Sequence, residues 1–558
     1  MDQARLLIAI VLSLVVFLAW HFLSPLFSPQ EAEQQAVKKV EAPAATKEQA
    51  VQEKEKPYTA ETEKIETAQE ATAPVAAPKT TRTITVDTPL YQARISENGA
   101  VFYSFLLKNF SESVAQDSPL KQILTGDETF GVGQIGFTGK SISGLDKAIF
   151  AAELTSDQVK VTDSSREVKF LWRSEDGILI EKIYKFTPDS YAIGMSVTVK
   201  NGSGRGVQDK LFVALNSKAP GDKRMYAFEG PSALINDTLE EIKLKKLKDQ
   251  DTFEGKIKWI ALQSRYFMSG LIPDQVEEAS LHLAVESEKF VAARYRQPET
   301  AIQPGNQYTY TYQIFMGPKR MQELRQVGND LDKLINFGWF DFIAKPCVWL
   351  MNVFYSVIPN YGVAIIILTL LVKILLWPLG QKSYKSMSEM KKIQPLMKEI
   401  REKYKNDKKK MNEEVMGLYR TYKINPLGGC LPMVVQLPVF FALYRMLYEA
   451  IELRHAHFFL WINDLAAPDR LFNFDFSIPF MEPPFGIPVL TIVMGASMLL
   501  QQKMSPPMGD ATQAKMMMFM PVVFTFIFIN FSSGLVLYWL TNNILSIAQQ
   551  YYTQKKYA

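Results

Sequence analysis

What this chain lacks narrows its chemistry before anything present is weighed. In 558 residues there are two cysteines, Cys347 and Cys430, both in the C-terminal half and far apart. The N-terminal half therefore has no disulfide framework, and nothing has the spacing of a CxxC metal site. An ATP-binding signature is missing, and the stretch from Arg82 to about Gly328 contains no P-loop, zincin helix or nucleophile elbow. Nor does either charge dominate: 62 basic against 58 acidic side chains leave +4, a balance that implies no nucleic-acid partner. Mean hydropathy is close to zero, and it averages a polar part with a very apolar one.

Taken in order, Leu6 to Leu23 is an apolar run behind Arg5. A cleavable signal peptide competes with an uncleaved anchor, but Ala19-Trp20-His21 is a poor small-residue cleavage site, so residues 1–27 are read as a transmembrane anchor. Residues 28–80 are Ala, Glu, Gln, Lys, Thr and Pro with one aromatic, Tyr58. Such a segment cannot bury enough apolar surface to offset its ordering entropy and reads as a disordered tether. Residues 81–330 then alternate with period two: Thr83–Val86, Val168–Trp172, Ile178–Tyr184, Met195–Val199 and Tyr308–Tyr312 all predict half-buried strands. Glu97-Asn98-Gly99, Glu175-Asp176-Gly177 and Asn201-Gly202 supply turns. A large β-sandwich is expected, closed by a helical stretch near Met321 to Val327. Its size would suit a carbohydrate cleft, although carboxylates such as Asp163 and Asp189 read as solvated loop charges.

Residues 331–360 are aromatic and amphipathic, interrupted by Asp341 and Lys345-Pro346, and fit an interfacial helix. Residues 361–550 carry five apolar segments: Tyr361 to Leu379, Cys430 to Tyr448, Gly486 to Gln502, Met516 to Phe531 and Leu535 to Gln550. Several are short for a hydrocarbon core of about 30 Å. Between Gln381 and Leu427 lie 13 basic residues against 6 acids, whereas Glu449 to Phe485 is net −4. The positive-inside rule puts the first loop in the cytoplasm and the second outside. Six crossings follow, with both termini cytoplasmic, the β-domain outside and a short tail at 551–558. Within the basic loop, Met390, Ile393, Met397, Ile400 and Tyr404, then Met411, Val415, Leu418 and Tyr422, recur at helical spacing around a lysine-rich break at Lys405 to Lys410. An antiparallel helical hairpin is predicted over 381–427. Its basic face is open to two readings, contact with anionic lipid or a docking arm for nascent chains and targeting factors.

None of the five C-terminal apolar segments holds an Asp or Glu. A proton- or sodium-coupled transporter generally needs such a relay, which weighs against that class. One full charge does occur in the first of them, Lys373, with Thr369 four residues earlier on the same face. A charge near the bilayer centre costs at least about 2.5–3.5 kcal/mol. From position alone Lys373 either snorkels to the cytoplasmic interface or serves a wet cavity. Gln436 lies inside the second segment, where Pro432 and Pro438 bend the helix, and Thr541, Asn542 and Asn543 lie in the last.

Asn425-Pro426-Leu427-Gly428-Gly429-Cys430-Leu431-Pro432, then Gln436-Leu437-Pro438, Trp461-Ile462-Asn463-Asp464-Leu465, Gln502-Lys503-Met504-Ser505-Pro506 and Ser533-Gly534-Leu535-Val536-Leu537-Tyr538-Trp539 closely resemble the YidC membrane protein insertases. The anchor, tether and β-domain resemble the Gram-negative form. The resemblance implies an inner-membrane protein with a periplasmic domain of galactose-mutarotase-like β-supersandwich fold. Five core helices would form a groove open to cytoplasm and lipid and closed toward the periplasm. The family's groove arginine follows Leu-Thr-Leu-x-Val; here Leu368-Thr369-Leu370-Leu371-Val372-Lys373 keeps the charge and loses the planar fork. Gln436, Tyr538 and Trp539 match the remaining groove positions. Met433, Phe440, Met516, Met517, Met518 and Phe519 are the candidate apolar slide for a substrate segment. The implied function is insertion and folding of inner-membrane proteins, alone or with the Sec translocon, without nucleotide hydrolysis, cofactor or metal. Implied partners are nascent membrane proteins and lipids, with the hairpin a candidate contact for ribosome and targeting factors. The short tail departs from members with long basic tails. The alternatives are a membrane-anchored carbohydrate-binding or carbohydrate-active protein and a small-solute transporter.

Overall fold

The computed structural model describes residues 81–557 apart from 125, 129–130, 220–226, 288–289, 423–430 and 506–510. The expected anchor and tether, and the Asn425 to Cys430 part of the motif, lie outside the described residues.

Alternation of apolar and polar side chains builds the β-domain. Ile178–Phe186 buries Ile178, Ile180, Lys182, Tyr184 and Phe186 on one face. It pairs antiparallel with Ala192–Asn201, which pairs in turn with Gln307–Pro318, setting Val197 opposite both Lys182 and Tyr310. These strands belong to a 13-stranded sheet. A 5-stranded sheet runs in the order Leu120–Gln122, Val101–Ser111, Tyr91–Ser96, Thr83–Asp87, Gln158–Lys160. The sheets meet through aromatic rings, Phe102 lying 4.6 Å from Tyr184 and Tyr91 6.2 Å from Tyr191. All five strands expected from sequence fall within strands, and the turns at Glu97–Gly99 and Glu175–Gly177 are found; Asn201 instead closes the strand Ala192–Asn201, and the chain bends just after it at 203–205.

The core face of Ile178–Phe186 carries one charged side chain. Lys182 is fully buried and donates to the carbonyls of Gly99 (3.0 Å), Ala100 (2.7 Å) and Gly133 (2.6 Å), between the rings of Phe150 and Tyr184. Gly99 sits at φ +71°, the left-handed conformation that turns its carbonyl inward at little cost. Burial pulls the Lys182 ammonium below the ordinary lysine pKa. Three carbonyls can be satisfied together only by NH3+, since a neutral amine has two N–H groups. The lysine thus ties the turn of one sheet to a strand of the other.

The helical part begins at α1 (Met321–Val327), where the sequence places it, and continues with α2 (Asp341–Val357). Ala344, Cys347, Val348 and Met351 of α2 face inward, while Phe342, Trp349 and Val357, with Trp339 just before it, are exposed. Next come α3 (Tyr361–Leu375), α4 (Trp377–Lys403), α5 (Lys408–Thr421), α6 (Leu431–Glu449), α7 (Val489–Met504), α8 (Ala511–Phe528) and α9 (Ser533–Tyr557). Among the described residues no single helix is long and apolar enough to cross a membrane; α3 and α4 qualify only together, bent by 65°.

Several expected boundaries move. The segment read as Tyr361 to Leu379 ends at Leu375, because Pro378 has no N–H to continue the ladder and instead sits in the first turn of α4. The hairpin therefore starts at Trp377 rather than Gln381. Lys408 to Lys410, read as part of a break, open α5, whose N-terminus is capped by Asp407 accepting from the Lys410 N–H at 3.0 Å. The hairpin seam joins Met390, Ile393 and Met397 to Val415, Leu418 and Tyr419; Tyr422 is exposed instead. Gly486 belongs to a short strand before α7, and α9 runs through the residues read as a separate tail.

The β-domain is fastened to the helices by arginines. Arg265 donates to the Tyr448 carbonyl at 2.8 Å through Nε and lies 3.6 Å over the Tyr448 ring. Arg454 donates to Glu112 O at 3.2 Å and covers Phe267. Behind them Lys319 is buried and donates to Gln263 Oε1 at 2.9 Å, its pKa lowered by burial.

Replacing Lys182 with Met should destabilise the β-domain by about 3 kcal/mol or more, since orphaning each buried acceptor costs about 1–3 kcal/mol. Thermal unfolding of the full-length protein in detergent would show this, and an unchanged midpoint would remove the lysine cage as a source of stability.

Candidate functional site

The polar residues of the helical part converge on α9. Asn542, Ser546, Gln549 and Thr553 recur at spacings of four, three and four and form one stripe along it; Asn543, Gln550 and Gln554 form a second. Ser546, Gln549, Gln550, Thr553 and Asn543 are all buried, so each needs a partner.

Partners come from every side. Lys373, in the last turn of α3, donates to Ser546 Oγ at 2.6 Å. The Tyr384 hydroxyl of α4 hydrogen-bonds the same serine, whose own O–H donates to the Asn542 carbonyl at 2.7 Å. With its proton committed, Ser546 offers lone pairs to Lys373. One turn outward, Gln436 of α6 donates to Asn542 Oδ1 at 3.1 Å and hydrogen-bonds the Tyr538 hydroxyl. One turn inward, Gln549 donates to the Trp377 carbonyl at 3.0 Å. Gly380 allows that approach, because a Cβ there would lie 2.8 Å from Gln549 Nε2. The second stripe faces α7: Asn543 donates to Ser497 Oγ at 3.0 Å, Gln550 to Ser505 Oγ at 3.4 Å and Gln554 to the Met504 carbonyl at 3.0 Å.

Above this ladder the chemistry changes. Trp539 stands edge-on to Phe440, centroids 4.7 Å apart, and packs on Phe528 at 5.0 Å; Phe531 joins through Phe528 at 4.7 Å. The buried Trp539 Nε1 has no hydrogen-bond partner among the described residues. From Trp539 to Ser546 is two helical turns, about 10 Å. An aromatic layer thus caps one end of a polar ladder.

Family models match in two blocks that together span nearly all the described chain: "YidC periplasmic domain" over residues 83–350 and "60Kd inner membrane protein" over 353–558. A membrane protein insertase YidC of Syntrophus aciditrophicus is 43% identical over 87% of this chain and 87% of its own length. That of Geotalea daltonii is 38% identical over 99% of each. The chain belongs to the YidC family of membrane protein insertases. A crystal structure described as an active YidC insertase aligns with a TM-score of 0.37 and 20% identity over 85% of this chain and 93% of that one. Membership makes this an inner-membrane protein with a periplasmic β-domain. The alternatives, carbohydrate chemistry and solute transport, gain no support from these relatives.

Of the residues the sequence singles out, Lys373, Gln436 and Tyr538 come together around Asn542 and Ser546. Thr369 is buried and gives its proton to the Ile365 carbonyl of its own helix at 2.6 Å. Trp539 lies in the aromatic layer. The proposed slide divides: Met516, Met518 and Phe519 are exposed on α8 and Met517 is partly so, but Phe440 turns inward, where Trp539 gives its ring an edge-to-face partner. The Met433 side chain lies outside the described residues. Val522, Val523, Phe526 and Ile527 extend the exposed face of α8 instead. Ser546, Tyr384 and Gln549 were missed, although the 542/546/549/553 spacing was visible in the sequence.

Ser546→Ala removes the acceptor shared by Lys373 and Tyr384 and should cut insertion of a single-span substrate by about tenfold in proteoliposomes, corresponding to about 1.4 kcal/mol. Ser546→Thr, which keeps the hydroxyl, should retain most activity, and equal loss in both variants would reduce the serine to a packing role.

Proposed function

We propose that this chain carries out its family's insertase function by lending a substrate's polar flank a partly hydrated, cationic path through the inner half of the bilayer. The observation that carries the reading is the Lys373–Ser546 bond at 2.6 Å within a run of amide and hydroxyl side chains, below the Phe440–Trp539 layer. A polar stretch on one side and an aromatic seal on the other is the asymmetry expected of a groove open to the cytoplasm and closed to the periplasm.

In this reading the short flank of a nascent membrane protein, often acidic, exchanges part of its hydration for Lys373, Tyr538 and the amides of Gln436 and Asn542. Lysine supplies the charge without a bidentate fork, so recognition is by charge and not by carboxylate geometry. The apolar segment meanwhile moves along the exposed face of α8, through Met516, Met518 and Phe519 toward Phe526. Transfer of that segment into lipid, with the membrane potential acting on acidic flanks, supplies the driving force, and no nucleotide or cofactor is consumed.

The topology that fits has six crossings, both termini in the cytoplasm, and the basic α4–α5 hairpin on the cytoplasmic side. There the hairpin would meet anionic lipid, ribosomes or targeting factors, and the Sec translocon would be a lateral partner.

Lys373→Ala should abolish insertion of single-span substrates with acidic flanks into reconstituted liposomes, whereas Lys373→Arg should keep it; unchanged insertion by the alanine variant would refute the groove-charge role. A chain lacking most of residues 81–318 should restore membrane-protein insertion in depleted cells. Dependence on the β-domain alone would instead favour chemistry residing there.

A further inference from the structure

The connection between α6 and α7 ends in a small β-hairpin, Leu471–Phe474 paired with Phe485–Ile487, that exposes three phenylalanine rings. Phe472, Phe476 and Phe480 are 69%, 63% and 84% exposed. Phe472 and Phe480 hold φ of +56° and +64°, a backbone region that bulky residues rarely adopt. A soluble loop would be expected to turn such rings inward and to fill left-handed positions with Gly or Asn.

The hairpin is rigidly held at the ends of two helices. Arg470 donates to the carbonyls of Pro484, Asp469 and Ile529, each at 2.8 Å, and to Asn530 Oδ1 at 3.3 Å. Asn530, just past α8, accepts from Glu482 N at 2.9 Å and donates to the Phe480 carbonyl at 2.9 Å. Backbone groups tied up in this way can leave bulk water, which is the condition for entering a bilayer.

The helices it extends are short. At about 1.5 Å per residue, the 16 residues of α7 reach about 24 Å and the 18 of α8 about 27 Å, against a hydrocarbon core of about 30 Å. The exposed apolar face of α8, Phe519 to Ile527, leads directly to the segment that the hairpin clamps. We propose that this hairpin is an aromatic anchor in the outer leaflet, with Phe472, Phe476 and Phe480 entering the boundary between headgroups and acyl chains and completing the apolar band that α7 and α8 leave short. Asp475 and Glu482, both exposed, remain on its water side. The proposal rests on the outward orientation of the α6–α7 connection given above.

The test uses the full chain with Cys347→Ala and Cys430→Ala, and single cysteines at Phe472, Phe476, Phe480, Asp475 or Glu482 carrying a nitroxide, in vesicles of phosphatidylethanolamine and phosphatidylglycerol. Collision with a water-soluble nickel chelate should be at least about threefold lower at the three phenylalanine positions than at the two acidic ones, with collision with oxygen higher, as a depth of about 5–10 Å requires. Equal nickel collision at all five positions overturns the anchor. Shielding from both nickel and oxygen overturns it in favour of a protein partner or a second copy. In spheroplasts, Glu482→Cys should react with an impermeant maleimide added outside. Reaction only after lysis overturns the orientation and the anchor together, whereas outside reaction with equal nickel collision overturns the anchor alone.

Discussion

A charge held among apolar helices has to be answered by something, and in this protein the polar side chains of α9 supply the answer. Lys373 is met by Ser546, Ser546 by Tyr384 and the Asn542 carbonyl, Asn542 by Gln436. Buried amides left without partners would each cost on the order of 1–3 kcal/mol, so the two stripes of α9 dictate which helices can surround it. The contacts between α9 and α3, α4, α6 and α7 follow from that requirement. Specificity of packing here comes from polar matching, in a setting where apolar faces alone would fit in many registers.

The β-domain solves a related problem by a different route. Lys182 is carried into the core by the strict alternation of its strand, and the fold accommodates it with a left-handed turn that aims two carbonyls at one ammonium. The junction to the helices uses arginines that combine a carbonyl acceptor with an aromatic face, as at Arg265 over Tyr448. Such contacts tolerate small shifts without leaving a charge unpaired, which suits a boundary between a rigid sandwich and a bundle embedded in a fluid.

Much of this was legible from residue order. Period-two alternation over Ile178–Tyr184 and Tyr308–Tyr312 located the inner parts of the strands Ile178–Phe186 and Gln307–Pro318, because a strand with one wet face must write its pattern into the chain. The family motifs pointed to Lys373, Gln436 and Tyr538. Less legible were features decided in three dimensions. Pro378 looked like the end of a span and proved to be the start of the next helix, since apolar composition continues across Leu376 while the hydrogen-bond ladder does not. Tyr419 stands in the hairpin seam and Tyr422 does not because α5 ends at Thr421, leaving Tyr422 as the C-terminal cap, an end that periodicity alone does not reveal. The inward turn of Phe440 onto Trp539 has no sequence signal, since a lipid-facing ring and one packed on a neighbouring helix read alike. Ser546 was overlooked because a single serine in an apolar helix is ordinary until its neighbour across the bundle is known.

The bend at Leu376 has a mechanical meaning. Only two residues separate Lys373 from the joint, and Gln549, one turn from Ser546 on α9, holds the first carbonyl beyond it. The α4–α5 arm is thus a lever with its fulcrum beside the charged side chain, and its long end carries the basic surface. Displacing that surface would bear first on the Trp377–Gln549 and Lys373–Ser546 bonds, which are what hold the arm to the bundle on either side of the joint.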